Sequence, residues 1–275
     1  MRYCSRDETD VKPTLLQLAK KRFPQIEQKE IYASILCGEL LVNGERLKDP
    51  KQRVSPQSEL ELQRRQYVSR GGEKLAAAIE AWKLPVEGTV WIDAGSSTGG
   101  FTDALLQHGA AYVHAVDVGT NQLAYSLRRD PRVSSREGTS LFDLTDLEPP
   151  ADYACCDLSF RSLTGAAAHL LALTREQRLI ALLKPQFELQ ERNRELPEGE
   201  RIPFDGVVRQ EETVDRLLQE TLETVWTRDG ARVEQILESP VRGNRGNREF
   251  LVDLRSSTVP PDRGWIDRLL GKLKG

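Results

Sequence analysis

The chain has 275 residues, 39% of them hydrophobic and 29% charged, which fits a globular protein with room for one large α/β domain and a small appendage. No run of about 18 apolar residues occurs, and the opening MRYCSRDETD has no apolar segment of signal-peptide type, so no spanning helix and a cytoplasmic location are expected. The net charge of −3 divides unevenly: residues 1–66 carry 13 Lys/Arg against 10 Asp/Glu and the remainder 26 against 32, so only the first part leans basic, by an excess that a solvated surface explains as readily as a nucleic-acid partner.

Between Thr14 and Phe23, Leu15, Leu16, Leu18, Ala19 and Phe23 recur at helical spacing, and a second helical stretch, IEQKEIYASILCGELL, ends near Gly38. Two short β-type runs then flank Asn43-Gly44, a hairpin turn signal, and ELELQ alternates at period two. A helix pair with a small twisted sheet therefore fills residues 1–66, up to a polar joint around residues 64–66. From Tyr67 onward strands alternate with helices. TVWIDAG, AYVHAVDVG, DYACCDLS and RLIALLKP read as apolar strands bounded by turn residues, the pattern of a parallel sheet covered on both faces. A long helix, VVRQEETVDRLLQETLETVW, precedes two β runs, ARVEQILESP and REFLVDL, joined by VRGNRGN as a hairpin, so the last strand should run antiparallel. The expected architecture is a mostly parallel sheet with an antiparallel last strand over residues 67–255, preceded by a small α+β domain. Residues 256–275 form a tail whose WIDRLLGKLKG reads as a packed or frayed helix, with a membrane anchor the weaker alternative. Cys4, Cys37, Cys155 and Cys156 have no metal-ligand spacing, which points to reduced thiols with no zinc site and no disulfide frame.

Two features carry chemistry. VWIDAGSSTGGFTDALL is strand, glycine turn and helix, the arrangement that seats a ligand at the carboxyl end of a strand in an open α/β sheet. The loop is neither GxGxxG nor a triphosphate-binding loop. Asp117 ends the next strand, 24 residues after Asp93, where a carboxylate can accept both hydroxyls of a ribose. Together these fit an adenosine-bearing ligand without a triphosphate, best S-adenosylmethionine. Candidate contacts are Asp93, Gly95, Ser97, Thr98, Gly99, Gly100, Phe101, Asp117, Val118 and Asp157. The second feature is Lys184. Between Lys83 and Lys272 it is the only lysine, against 20 arginines from 84 to 271. A lysine can give up its proton when buried or beside other charges, whereas arginine stays charged.

The segments YVSRGGEKL (67–75), DAGSSTGGFTD (93–103), VDVGTNQLAYSLRRDPRV (116–133), DLSFRSL (157–163), LLKPQFE (182–188) and SPVRGNRGNREFL (239–251) resemble, in order, those of the TlyA family. These proteins, first labelled haemolysins, are ribosomal-RNA 2'-O-ribose methyltransferases with a small RNA-binding domain before an FtsJ-like catalytic domain. The resemblance implies a Rossmann-like class I methyltransferase fold with a mostly parallel seven-stranded sheet, S-adenosylmethionine as cofactor, and ribosomal RNA or ribosomal subunits as partner with cytidine as the target; the cysteine spacing and hydropathy add the expectation of no metal and no membrane. It matches Lys74, Asp157, Lys184 and Glu249 to the family's Lys-Asp-Lys-Glu catalytic set, in which Lys184 would contact the target 2'-hydroxyl. The competing readings are a non-catalytic RNA-binding or ribosome-assembly factor and a membrane-active haemolysin. Two departures stand out. The first module opens Lys12-Pro13-Thr14-Leu15 where the family usually has Arg-Leu-Asp, and residues 189–206 are longer and more charged than the family's connection, read here as a solvated loop with a lid as the alternative.

Overall fold

The computed structural model describes residues 12–63, 66–259 and 264–273. The chain divides into two compact units, Met1–Gln66 and Tyr67–Gly275; Cys4 lies outside the described residues.

In the first unit, α1 (Leu15–Arg22) starts at a capping box in which Thr14 and Gln17 satisfy each other's backbone amides. Helix α2 (Gln28–Cys37) stops at Gly38, whose left-handed backbone suits a residue without a side chain. Strands β1 (Leu40–Val42), β2 (Glu45–Arg46) and β3 (Leu60–Leu62) form an antiparallel sheet of order β2-β1-β3. The β1–β2 turn places both Asn43 (φ 52°) and Gly44 (φ 83°) in the left-handed region that a two-residue hairpin requires. Leu15, Leu18, Ile31, Ile35, Leu40 and Val54 make a core of their own.

The second unit begins with α3 (Arg70–Trp82), followed by β4 (Val90–Ala94), α4 (Gly100–Gln107), β5 (Tyr112–Asp117), α5 (Tyr125–Arg128), β6 (Val133–Glu137) and β7 (Tyr153–Cys156). It continues with α6 (Ala166–Ala172), β8 (Arg178–Leu183), α7 (Pro185–Glu195), α8 (Glu211–Asp229), β9 (Ala231–Glu238), β10 (Phe250–Ser256) and α9 (Trp265–Gly271). The seven strands lie in the order β6-β5-β4-β7-β8-β10-β9. β4, β5, β6, β7 and β8 pair in parallel, while β10 runs antiparallel to both neighbours, β8 and β9.

Alternation along the strands divides the interior in two. Trp91, Val113, Cys155, Ile180 and Leu251 pack with α3 and α4, and Ile92, Ala154, Ala181 and Val252 pack with α6 and α8. Strand β8 is buried throughout, as an inner strand covered on both faces must be. Its register against β10 is pinned by a buried two-pronged pair, Arg178 to Asp253 at 2.8 and 2.9 Å.

Three details go beyond or against the sequence reading. Strand β6, VSSRE, is an edge strand with one apolar residue and no buried one, so hydrophobic patterning could not locate it. Residues 189–195 of the segment read as a loop continue helix α7, and Leu189 is buried in the core; a run of charged residues at good helix-forming positions looks like a loop when only one face is apolar. Helix α9 buries Ile266 and Leu269 in the α6–α8 core, so the described part of the tail packs on the second unit. Among the described residues no helix is long and apolar enough to cross a membrane.

Candidate active site

The loop after β4 is shaped by close approach. Gly95, at φ 82°, passes the backbone of Asp157 so tightly that a Cβ there would lie 2.7 Å from the Asp157 carbonyl oxygen. Four residues on, Gly99 caps α4 at φ 92°, and its missing Cβ would meet Leu127 at 2.3 Å and Leu123 at 2.8 Å. The glycine-rich turn therefore serves two walls: Gly95 faces the cleft and Gly99 faces the core.

That cleft, about 580 Å³, runs from Gly95, Ser97, Asp117 and Val118 past Thr139, Ser140 and Leu141 to Asp157, Ser159 and Phe160. It lies at the carboxyl ends of β4, β5 and β7, where an open α/β sheet binds ligands, and its size suits a small organic molecule. Asp117 is held by backbone amides: Ser97 N donates to one oxygen at 2.8 Å and Gly119 N to the other at 2.7 Å. Each oxygen keeps a further lone pair, so an oriented two-point acceptor faces the cleft.

Of the ten candidate cofactor contacts, Gly95, Ser97, Asp117, Val118 and Asp157 line this cleft. The other five lie behind or beside it. Asp93 is fully buried and accepts from Thr102 N at 2.9 Å and Thr102 Oγ1 at 2.6 Å, tying β4 to the first turn of α4. Burial pushes its carboxyl up to about 7, against the lowering effect of those bonds. Its second oxygen has no hydrogen-bond partner among the described residues. Thr98 O accepts from Ala124 N, Gly100 lies against Ser69 and Gly72, and Phe101 is a core residue.

Lys74, Asp157, Lys184 and Glu249 arrive from four elements: α3, the residue after β7, the N-cap of α7 and the residue before β10. They form one chain of alternating charge. Glu249 Oε2 lies 2.6 Å from Lys74 Nζ, Lys74 Nζ lies 3.9 Å from Asp157 Oδ2, and Asp157 Oδ1 lies 2.5 Å from Lys184 Nζ. Two acids balance two amines where both amines and Glu249 are largely withdrawn from solvent. Such burial is tolerable only when the charges are paired. Asp157 is the junction, since it lines the cleft and touches both lysines.

Sequence reasoning missed the residues that brace this chain. Lys184 Nζ donates to Ser159 Oγ at 3.2 Å, and Gln186 Nε2 donates to Glu249 Oε1 at 3.3 Å. Phe160 is 70% exposed at φ 61°, with its ring 5.1 Å from that of Phe187. The buried Glu188 accepts from Ser162 Oγ at 2.6 Å and Leu163 N at 3.0 Å, fastening the loop after β7 to α7. The only signal for them was their place within DLSFRSL and LLKPQFE.

A sheet of this order, with the strand next to its β9 edge reversed and a glycine-loop cleft at its carboxyl ends, defines a Rossmann-like methyltransferase. Residues 67–256 match the FtsJ-like methyltransferase family, and the chain belongs to that family. It is 39% identical over 197 residues to the 16S/23S rRNA (cytidine-2'-O)-methyltransferase TlyA of Mycobacterium tuberculosis, spanning 70% of each chain. Hemolysin A of Brachyspira hyodysenteriae is 34% identical over 224 residues, 79% of this chain and 89% of that one. A solved Streptococcus thermophilus chain designated a hemolysin has a TM-score of 0.68 and 32% identity, covering 96% of both chains.

Proposed function

We propose that this protein transfers a methyl group from S-adenosylmethionine to a ribose 2'-hydroxyl of ribosomal RNA, with cytidine as the target nucleoside, in the cytoplasm. The observation that carries the reading is the chain Glu249–Lys74–Asp157–Lys184, which meets the cleft at Asp157.

The residues of the cleft suit the cofactor. Asp117, fixed by two amides, would take the ribose diol, and the Gly95 turn would let the ligand approach the backbone. The bound cofactor supplies a methyl on a sulfonium, activated for in-line displacement. A ribose hydroxyl is a poor nucleophile at neutral pH, so the protein must place its oxygen and receive its proton. Lys184 Nζ is ion-paired with Asp157 and donates to Ser159 Oγ; in this reading it first gives up a proton to solvent, and the lone pair of the neutral amine then takes the proton of that hydroxyl. Asp157 orients Lys184, Lys74 bridges Asp157 to Glu249, and the bracing of Glu188 on the loop after β7 holds Asp157 and Ser159 in register.

The first unit is the RNA anchor in this reading, supported by its basic excess and by Lys20, Lys21 and Arg22 in the last turn of α1. The test of the whole is transfer of labelled methyl to unmodified ribosomal RNA or subunits, with 2'-O-methylcytidine as the expected product. Absence of label in RNA, or label on a base, would refute it. A 67–275 truncation should lose RNA affinity and show a flatter salt dependence; an unchanged salt slope would remove the anchor role from the first unit.

A further inference from the structure

Glu249 has two carboxylate oxygens and one lysine. Oε2 receives Lys74 at 2.6 Å. Oε1 lies against Gly243, where a Cβ would stand 2.0 Å from it, and accepts Gln186 Nε2 at 3.3 Å. Gln186 is 6% exposed, in the first turn of α7 and two residues after Lys184. Its amide can face Glu249 only through nitrogen, since the flipped form would set two acceptors against each other. The amide oxygen then has no partner among the described residues. A buried polar atom without a partner is unfavourable, and an apolar residue of similar size would avoid it, so packing alone does not account for a glutamine here.

We infer that Gln186 is a positioning residue for methyl transfer: a neutral donor that saturates the free oxygen of Glu249 and so fixes where Glu249 holds Lys74. This rests on the proposed function and extends the four-residue chain by one. The donor has to be neutral. A lysine at 186 would compete for Glu249 and release Lys74 toward Asp157, disturbing the partner of Lys184. An ionised glutamate would set a third carboxylate against two amines. The charged group in contact with the amide is Glu249, before β10, and through it the amide is linked to Lys74 from α3, then Asp157 after β7 and Lys184 at the start of α7. All of them belong to the site.

The test uses the full-length protein and unmodified transcribed ribosomal RNA, with single-turnover transfer measured from about pH 6 to pH 9. Gln186→Met keeps the volume and removes the donor. It should lower the transfer rate about 10- to 150-fold, the scale for a hydrogen bond to a charged group, with cofactor affinity and RNA half-saturation within about twofold of the parent. Gln186→Glu supplies a side chain that can donate only while protonated. Its rate relative to the parent should therefore be highest at the acid end and fall as pH rises, a trend that loss of packing would not produce. A parental rate for Gln186→Met, or a ratio for Gln186→Glu that is flat with pH, would overturn the inference. If the parent itself transferred no methyl, the proposed function would fall first.

Discussion

Replacing Lys184 with arginine separates charge from proton acceptance. The lysine side chain is 8% exposed, 2.5 Å from Asp157 Oδ1 and 3.2 Å from Ser159 Oγ, with its nitrogen 5.3 Å from the centre of the Phe187 ring. A guanidinium can satisfy Asp157 and lie on the same ring, so the ion pair survives. The extra atoms should cost about 1–3 kcal/mol of stability through overpacking. What arginine cannot do is give up a proton. Loss of a general base lowers rates by about 10²- to 10⁴-fold, or roughly 3–5 kcal/mol of barrier. Single-turnover transfer of labelled methyl to ribosomal RNA, at saturating enzyme, should therefore fall by at least about two orders of magnitude. Calorimetry should show the cofactor still binding, because Lys184 is not among the residues lining the cleft. A transfer rate within about fivefold of the parent would mean that Lys184 supplies only charge and position, and the base role would have to be withdrawn.

Other predictions bear on the cleft and its support. Asp117→Ala should weaken S-adenosylmethionine binding by about 1.5–3 kcal/mol, the scale for hydrogen bonds to a charged acceptor; calorimetric affinity equal to the parent's would remove Asp117 from the site. Gly99→Val should act on folding before binding, because its side chain meets Leu127 and Leu123 at φ 92°. Strain and overpacking together amount to about 2–5 kcal/mol, seen as a lower melting temperature, and a variant of parental stability with lost cofactor binding would contradict the placement of Gly99 on the core wall. Asp93, raised to about 7 by burial, stays protonated in the fold while the unfolded chain ionises near pH 4. Its contribution to stability is complete below about pH 4 and is lost as pH rises toward 7, so the melting temperature of Asp93→Asn relative to the parent should climb across that window and level off above it. A constant difference from pH 4 to 8 would refute the shift.

Elements with a strong period were legible in the sequence, and those fixed by tertiary neighbours were not. Strands such as RLIALL announce themselves because burial on both faces demands unbroken apolar residues, and the Asn-Gly hairpin does so because few residues adopt its backbone. β6 did not, since an edge strand needs its backbone more than its side chains. The four charged residues were named from motifs, but their order along a chain of contacts depends on β10 lying between β8 and β9, a pairing that no local window contains. The glycine loop shows the limit of motif reading most clearly. Its residues were grouped as one ligand cradle, yet Gly99, Gly100 and Phe101 are committed to helix packing and only Gly95 and Ser97 of the turn line the cleft.

The reversal of β10 has a consequence for how such a site can vary. In a parallel sheet every strand presents its last residues to the ligand face, and whatever follows is committed to a crossover helix. Because β10 runs the other way, its beginning reaches that face, carrying Glu249 on the end of a hairpin that starts where β9 stops at Glu238. Residues 239–249 thus belong to the only connection between neighbouring strands of this sheet, among the described residues, that needs no helix to return. Within it Ser239, Gly243, Asn247 and Glu249 are buried while Pro240, Arg242 and Gly246 are exposed, so substitution at those exposed positions can retune the charge and outline of this rim while the buried ones keep Glu249 fixed beneath it.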